Sequence, residues 1–186
     1  MIRAFVGIPL PGPVAGALSA AQAGLPAGKP VTPENFHITV AFLGEYPEPL
    51  VEDIHLALEN IRMPAFELAL SGVGLFGNDR PRVFYAGVRP EPGLIRLREK
   101  VLRAARSTGL KLPRERYNPH VTLARFNSGL DGELAQDMRD FAARRMNFIA
   151  GPFVVSEFLL IRSMLGRTGP VYNQLAAYPL SAGPDT

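Results

Sequence analysis

The 186-residue sequence contains no cysteine, which excludes disulfide bonds and thiolate metal sites. It has only three histidines, so any chemistry that needs an imidazole is confined to His37, His55 and His120. It also lacks a long apolar run, and its first residues contain one arginine, a short apolar stretch and then prolines. We therefore expect no membrane segment and no signal peptide. The absence of cysteine suits a cytoplasmic location, which we predict.

The composition is typical of a folded globular protein, with 47% hydrophobic and 20% charged residues. A chain of this length buries roughly 70% of the surface of its unfolded state, so its core needs no disulfide or metal. We therefore expect residues 1–186 to form a single domain. The formal net charge of +3 agrees with an anionic partner, although an arginine-rich genome composition explains the charge equally well.

The spacing of apolar residues predicts both strands and helices. Strands are predicted at residues 2–8, 36–43, 66–73, 82–88, 120–126, 153–164 and 171–180. Helices are predicted at residues 11–25, 47–62, 91–108 and 131–146. Several neighbouring strands have no helix between them, which indicates an α+β fold with antiparallel sheets.

One short pattern occurs twice in the chain. Residues 36–43 read FHITVAFL, and residues 119–126 read PHVTLARF. Both contain a histidine, a β-branched aliphatic residue, a threonine, a second aliphatic residue and an alanine, and both lie in a predicted strand that precedes a helix. The repetition indicates an old duplication, so we expect two related lobes with one motif each, at 37–40 and 120–123.

Each motif places an imidazole beside a hydroxyl. Side chains of a strand alternate between its faces, so His37 shares a face with Thr39, and His120 shares a face with Thr122. Hydrolysis of a cyclic phosphodiester needs a base that activates water and an acid that protonates the leaving oxygen, and two imidazoles can supply both. The threonines can donate hydrogen bonds to the non-bridging phosphate oxygens. This chemistry requires no metal.

A two-histidine metal site is the competing interpretation of the motifs. Such a site needs a third ligand, and neither motif includes a carboxylate. The third histidine, His55, lies at helical spacing from Glu52 and Glu59 on the polar face of the predicted helix 47–62, and we expect it to be solvated. We therefore predict neither a metal nor another cofactor.

A basic segment precedes the second motif. Residues 96–116 contain eight basic residues and only two acidic ones. The segment is either the solvated face of a helix followed by a loop, or an approach that guides RNA phosphates to the site. The second interpretation assigns this role to Arg103, Arg106, Lys111 and Arg114.

The paired motifs resemble those of the 2H phosphoesterase superfamily. Within it, the chain is most similar to the RNA 2′,3′-cyclic phosphodiesterases, also called 2′-5′ RNA ligases or LigT-like proteins. Further similarities are the sequence RAFVGIP at 3–9, AFLG at 41–44, Ala-Arg at 124–125 and the segments around 163–165 and 169–172. The resemblance covers essentially the whole chain. Val40, where the family often has leucine, is a small departure on the buried face.

The resemblance implies a bilobal, pseudo-two-fold fold in which two antiparallel sheets flank a central cleft, with helices outside. It implies hydrolysis of the 2′,3′-cyclic phosphate ends of RNA, such as tRNA fragments, to 2′-phosphates. His37 is then the proton donor and His120 the proton acceptor, and the reverse reaction joins RNA ends through a 2′-5′ bond. We expect a monomer that acts on RNA, with no membrane association and no obligatory protein partner.

Three further residues are expected to bind substrate. The family pattern places Arg125 close to the phosphate, although regular alternation after Thr122 would send this side chain to the opposite face. A bulge or a strand end near Ala124 would reconcile the two. Phe42 occupies the equivalent position after the first motif, and it joins Tyr172 as a predicted substrate contact.

Two other functions stay open at this point. The first keeps the chemistry but acts on small cyclic nucleotides or 2′-5′ oligoadenylates. The second, from another class, is a non-catalytic module that binds RNA or nucleotides. The basic segment favours longer RNA over a small nucleotide, and the presence of both motif histidines argues against a non-catalytic module.

Overall fold

The computed structural model describes residues 1–113, 116–166 and 169–181. Its strands are β1 (Ile2–Pro9), β2 (Lys29–Pro30), β3 (His37–Tyr46), β4 (Phe66–Phe76), β5 (Val83–Val88), β6 (His120–Arg125), β7 (Ile149–Val155), β8 (Glu157–Gly166) and β9 (Gly169–Pro179). Its α-helices are α1 (Gly12–Gln22), α2 (Glu48–Glu59), α3 (Pro92–Ser107) and α4 (Gly132–Ala143). A 3₁₀ turn, Pro33–Asn35, leads into β3. None of the helices described is long and apolar enough to span a membrane.

The strands form two sheets, and all the paired neighbours described in them run antiparallel. The first sheet has the order β3-β1-β8-β9, and the second has the order β2-β6-β5-β4-β7. The first histidine motif begins β3, at the edge of the first sheet, and the second motif begins β6 in the second sheet. The predicted α+β fold with antiparallel sheets is therefore confirmed.

The helices begin where the sequence supplies suitable first residues. Proline precedes α1 and α2 at Pro11 and Pro47, and α3 begins with Pro92. The Glu91 side chain accepts a hydrogen bond from the backbone N–H of Gly93, which satisfies one of the unpaired donors at the start of α3. α3 packs against β3 and α2 through a buried apolar stripe formed by Leu94, Leu97, Val101 and Ala105.

The aliphatic residues of the two motifs anchor their strands in one continuous hydrophobic core. Ile38 and Val40 of β3, and Val121 and Leu123 of β6, are all fully buried in it. Full burial of such a side chain contributes roughly 1.5–3 kcal/mol relative to leaving it in water. The four side chains therefore fix which face of each strand is turned inward, and the histidines and threonines take the other face.

The prediction of one strand at 153–164 is wrong, because the chain changes sheet within this segment and forms two strands. β7 ends at Val155 and forms the edge of the second sheet, whereas β8 begins at Glu157 and lies inside the first. The carbonyl oxygen of Ser156, between them, accepts a hydrogen bond from the N–H of Leu180. Strand-like residues continue across this point, so the sequence carries no sign of the change. The two-residue strand β2 is too short to produce a periodic pattern.

Candidate active site

A cleft of about 540 Å³ lies between the two sheets. All seven side chains that the sequence predicts for the site line this cleft: His37, Thr39, Phe42, His120, Thr122, Arg125 and Tyr172. The structure therefore brings residues from β3, β6 and β9 together around one space. Arg3 and Ser163, which lie in segments that resemble the family but received no predicted role, line the cleft as well.

The same kind of backbone contact orients both motif histidines. Nδ1 of His37 lies 2.7 Å from the carbonyl oxygen of Asn35, and Nδ1 of His120 lies 2.8 Å from the carbonyl oxygen of Asn118. A carbonyl oxygen only accepts hydrogen bonds, so each Nδ1 carries a proton and donates it. Nε2 of each ring is consequently the nitrogen that can take or give a proton in the cleft.

The sequence contains a signal for this contact that we missed. An asparagine precedes each motif histidine by two residues, so the repeated pattern is N-x-H-x-T and starts at Asn35 and Asn118. The carbonyl oxygen, rather than the amide side chain, is the group that contacts the imidazole. The repeat thus includes the residue whose carbonyl oxygen contacts the imidazole as well as the histidine itself.

A β-bulge follows the threonine in both motif strands. In β3, Thr39 pairs with Gly7 and Ala41 pairs with Val6, so Val40 is an extra residue. In β6, Thr122 pairs with Tyr85 and Ala124 pairs with Phe84, which makes Leu123 the extra residue.

The bulge shifts the alternation of the strand by one residue. On the neighbouring strand β5, Tyr85 pairs with Thr122 and Val83 pairs with Arg125. Tyr85 and Val83 are two residues apart and share a face, so Arg125 shares the face of Thr122. Phe42 reaches the cleft in the same way after the bulge in β3. Of the two features that would reconcile alternation with the family pattern, β6 has the bulge, and this bulge removes the conflict.

Side chains from other elements hold the carbonyl groups beside the two bulges. The Arg98 guanidinium donates to the carbonyl of Val40 (2.6 Å), and the Tyr117 hydroxyl donates to the carbonyl of Thr39 (2.9 Å). In β6, the carbonyl of Leu123 accepts from the Gln22 side-chain amide at 2.6 Å. Both bulge residues thus have their carbonyl bound by a distant side chain, which stabilises an irregularity that a regular strand would not keep.

Two aromatic rings flank each histidine. The ring of His37 has its centroid 4.7 Å from that of Phe5 and 5.1 Å from that of Tyr172. The ring of His120 lies 4.9 Å from Phe76 and 5.5 Å from Tyr85. Phe5, Phe76 and Tyr85 come from strands remote in sequence, and no pattern near the motifs points to them. They restrict the rotation of the imidazoles and limit the water around them.

The cleft disfavours positive charge on both histidines. Burial lowers the pKa of His37 to about 4, and the charge of Arg125 and the proximity of His120 act in the same direction, against the contact with Asn35. Burial also lowers the pKa of His120, with a further contribution from Arg125 and opposition from the contact with Asn118. Both imidazoles are therefore mainly neutral at pH 7 when the cleft holds no anion.

His55 lies outside the cleft, and the expectation that it is solvated is wrong. Its Nδ1 lies 2.9 Å from the hydroxyl of Tyr178, its Nε2 lies 3.6 Å from Glu59, and only 28% of its side chain is exposed. β9 places Tyr178 against α2, a contact between distant segments that helical spacing alone does not reveal. Among the residues described, no cluster of three or more carboxylates, histidines or cysteines can hold a metal ion.

The basic segment divides into two groups. Arg103 and Arg106 are exposed on α3 and do not line the cleft, so for these two residues we adopt the interpretation of a solvated helix face. Lys111 and Arg116 line a groove that opens beside His120. Arg114 lies outside the described residues.

Known phosphoesterases match this chain over nearly its whole length. The family profile described as LigT like Phosphoesterase matches residues 8–85 and 87–172. An RNA 2′,3′-cyclic phosphodiesterase of Aeropyrum pernix is 38% identical over 163 residues, which cover 84% of this chain and 88% of that protein. The enzyme of the same name from Thermus thermophilus is 34% identical, over 96% of this chain and 90% of that protein.

Solved structures share the fold. Escherichia coli LigT complexed with 3′-AMP superposes with a TM-score of 0.76 at 28% identity, over 97% of this chain and 98% of that one. A protein of Thermus thermophilus superposes with a TM-score of 0.77 at 31% identity, over 97% of this chain and 99% of that one.

Two antiparallel sheets that face each other across a cleft, with one H-x-T motif from each, define a phosphoesterase of the 2H class. The chain belongs to the LigT-like phosphoesterase family.

Proposed function

We propose that this protein hydrolyses the 2′,3′-cyclic phosphate ends of RNA to 2′-phosphomonoesters, with His37 as general acid and His120 as general base and without a metal ion. The observation that supports it best is the matched contact of each Nδ1 with an asparagine carbonyl, because it leaves Nε2 of both rings for proton transfer in one cleft. The names of the relatives support the substrate class.

The proposed step is a single displacement at phosphorus. Nε2 of His120 takes a proton from water as the water oxygen bonds to phosphorus. The bond between phosphorus and O3′ breaks, and protonated His37 gives its Nε2 proton to O3′. The phosphate stays on O2′, and proton exchange with solvent then restores both imidazoles. When the 5′-hydroxyl of a second RNA takes the place of water, its oxygen bonds to phosphorus and the bond to O3′ breaks in the same way, which gives the proposed 2′-5′ ligation.

The hydroxyls and the guanidinium of the cleft have proposed roles in binding the phosphate. Thr39 and Thr122 lie beside the histidines on the same strand faces and are positioned to donate hydrogen bonds to the non-bridging oxygens. Arg125 supplies the positive charge that compensates the negative charge developing on those oxygens. Phe42 and Tyr172 provide apolar contact surface for the sugar or base.

The lowered pKa of His37 has a consequence for its proposed role. An imidazolium with a pKa of about 4 is a strong proton donor once it has formed. The substrate carries one negative charge on its phosphate, and this charge raises the pKa of the histidines beside it. We infer that the protonated state of His37 is stabilised when substrate binds.

The active unit that we propose is one chain with two lobes, because all seven site residues come from the same chain and each sheet contributes one motif.

The test of the function is incubation with an oligonucleotide that ends in a 2′,3′-cyclic phosphate, followed by identification of the product by phosphorus NMR. We expect a 2′-phosphomonoester as the sole product. An unchanged cyclic phosphate, or a 3′-phosphate as the main product, would contradict the proposal.

A further inference from the structure

A second groove opens from the catalytic cleft on the side of His120. It has a volume of about 470 Å³, within the range of roughly 300–1,000 Å³ typical of small-molecule sites. Thr39, Phe42, Gly44 and His120 line both spaces, so the groove and the cleft are continuous. We call it the side groove. One wall is β3, and the other is formed by α3 and by residues 111–113 and 116–118.

The side groove combines aromatic surface with positive charge. Phe42 is 64% exposed, a large value for a phenylalanine, and Tyr46 and Phe76 extend the aromatic surface along the groove. Lys111 and Arg116 are exposed at its wall. None of the described residues that line it is acidic. An anionic ligand with a flat apolar part suits this combination.

Arg98 also lines the side groove, but its guanidinium is already engaged. It donates to the carbonyl of Val40 and lies 4.2 Å from the ring centroid of Tyr117. Its role there is to hold the bulge of β3. The cations that are positioned to meet a ligand are therefore Lys111 and Arg116.

We propose that the side groove is a second nucleotide subsite, which binds a single-stranded ribonucleotide next to the reacting phosphate on the side of His120. Aromatic side chains stack on any base, and exposed cations contact the phosphates, so the two features together recognise single-stranded nucleic acid without regard to sequence. This inference rests on the proposed function for the identity of the neighbouring phosphate. The nucleotide belongs either to the strand that ends in the cyclic phosphate or to a strand that offers a 5′-hydroxyl.

The test compares two double variants that remove the same charge. Lys111→Ala with Arg116→Ala removes the cations of the side groove, whereas Arg103→Ala with Arg106→Ala removes exposed cations that do not line it. Neither pair touches the histidines. The substrates are a 2′,3′-cyclic mononucleotide and a trinucleotide with a 2′,3′-cyclic phosphate end.

If the groove binds the strand that carries the cyclic phosphate, the Lys111/Arg116 variant raises KM for the trinucleotide roughly ten-fold, because two phosphate contacts are lost. It also lowers the slope of log KM plotted against log salt concentration by about 1–2. KM for the cyclic mononucleotide stays within about two-fold of the wild-type value, because this substrate has no second phosphate to reach the groove. The Arg103/Arg106 variant behaves as the wild type with both substrates.

A second arm identifies the other source of the nucleotide. A trinucleotide with hydroxyls at both ends is added as an inhibitor of mononucleotide hydrolysis. If the groove binds the strand with the 5′-hydroxyl, this trinucleotide inhibits the wild type and the Arg103/Arg106 variant, and it inhibits the Lys111/Arg116 variant roughly ten-fold less strongly.

Equal effects of the two double variants in both arms would overturn the subsite. Failure of the proposed function would be seen separately, as absence of mononucleotide turnover by the wild-type protein. In that case, fluorescence anisotropy with a labelled trinucleotide still measures the loss of affinity in the Lys111/Arg116 variant. Equal affinities of both variants in that measurement would overturn the inference.

Discussion

Phe42 and Arg125 occupy equivalent places in the two motif strands, each two residues beyond the extra residue of a bulge. From the histidine onward the two strands have the same order of half-buried, buried and exposed residues, and the first exposed residue is Phe42 in one and Arg125 in the other. One lobe therefore presents an apolar ring to the cleft where the other presents a cation. This difference distinguishes the two sides of an otherwise similar pair of histidine–threonine motifs.

Substitution of Arg125 tests whether this asymmetry matters for catalysis. We expect Arg125→Ala to lower kcat about 100-fold, the usual effect of removing one group that stabilises developing negative charge, and to release some 3′-phosphate with the 2′-phosphate. Arg125→Lys keeps the charge but loses the planar fork, so it should also lower kcat, though by less. Arg103→Ala, which removes an exposed arginine from α3, is the control. Wild-type kcat and a single product in both Arg125 variants would exclude Arg125 from the site.

The lowered pKa values predict an acidic optimum for the free enzyme. The proposed mechanism requires one neutral and one protonated imidazole, and both pKa values lie below the ordinary 6.5, with that of His37 at about 4. A plot of kcat/KM against pH should therefore be bell-shaped, with its maximum below the ordinary histidine pKa of about 6.5 and a decline above it. The optimum of kcat should lie at higher pH, because the bound phosphate raises both pKa values. A kcat/KM that still rises above about pH 7 would contradict this account.

Much of the site could be predicted because both motifs lie in strands whose aliphatic residues are unmistakably interior. Ile38 and Val121 fix the inward faces, and the cleft positions of His37 and His120 follow from alternation. Alternation fails after Val40 and Leu123, since the bulges depend on Arg98 and Gln22, which are far away in the sequence.

The aromatic surroundings of the histidines could not be predicted for a similar reason. Phe5 reaches His37 from the neighbouring strand β1, and Phe76 reaches His120 from β4, so the contacts depend on strand order. The change of sheet at Ser156 could not be predicted from the sequence either, because strand-forming residues continue on both sides of it. Local patterns determine the faces of each strand, whereas the order of strands results from packing over the whole core.

Chelation tests the proposed metal independence. In the proposed mechanism, side chains of the cleft supply the acid, the base and the compensating charge, so exhaustive treatment with EDTA followed by gel filtration should leave kcat unchanged. Metal content measured on the same sample provides the control for complete removal. Loss of activity that a single added divalent metal restores would show that the reaction uses a metal.

The contact between His55 and Tyr178 predicts an effect on stability without an effect on catalysis. Burial raises the pKa of Tyr178, so its hydroxyl stays protonated, and it forms a hydrogen bond of 2.9 Å with Nδ1 of His55. Tyr178→Phe should lower the free energy of unfolding by about 0.5–1.5 kcal/mol, the net value of a typical hydrogen bond. Urea denaturation measures this loss, and kcat measured on the folded protein should equal that of the wild type. An unchanged denaturation midpoint would show that the contact contributes nothing.

The two motif histidines provide the most direct test of the whole account. Turnover of an oligonucleotide with a 2′,3′-cyclic phosphate end is measured for His37→Ala, His120→Ala and the control His55→Ala, after circular dichroism has shown that each variant is folded. We expect kcat to fall about 100- to 10,000-fold in each of the first two, the usual contribution of a positioned acid or base, and to stay at the wild-type value in the third. Equal kcat in all three variants would contradict a mechanism based on His37 and His120.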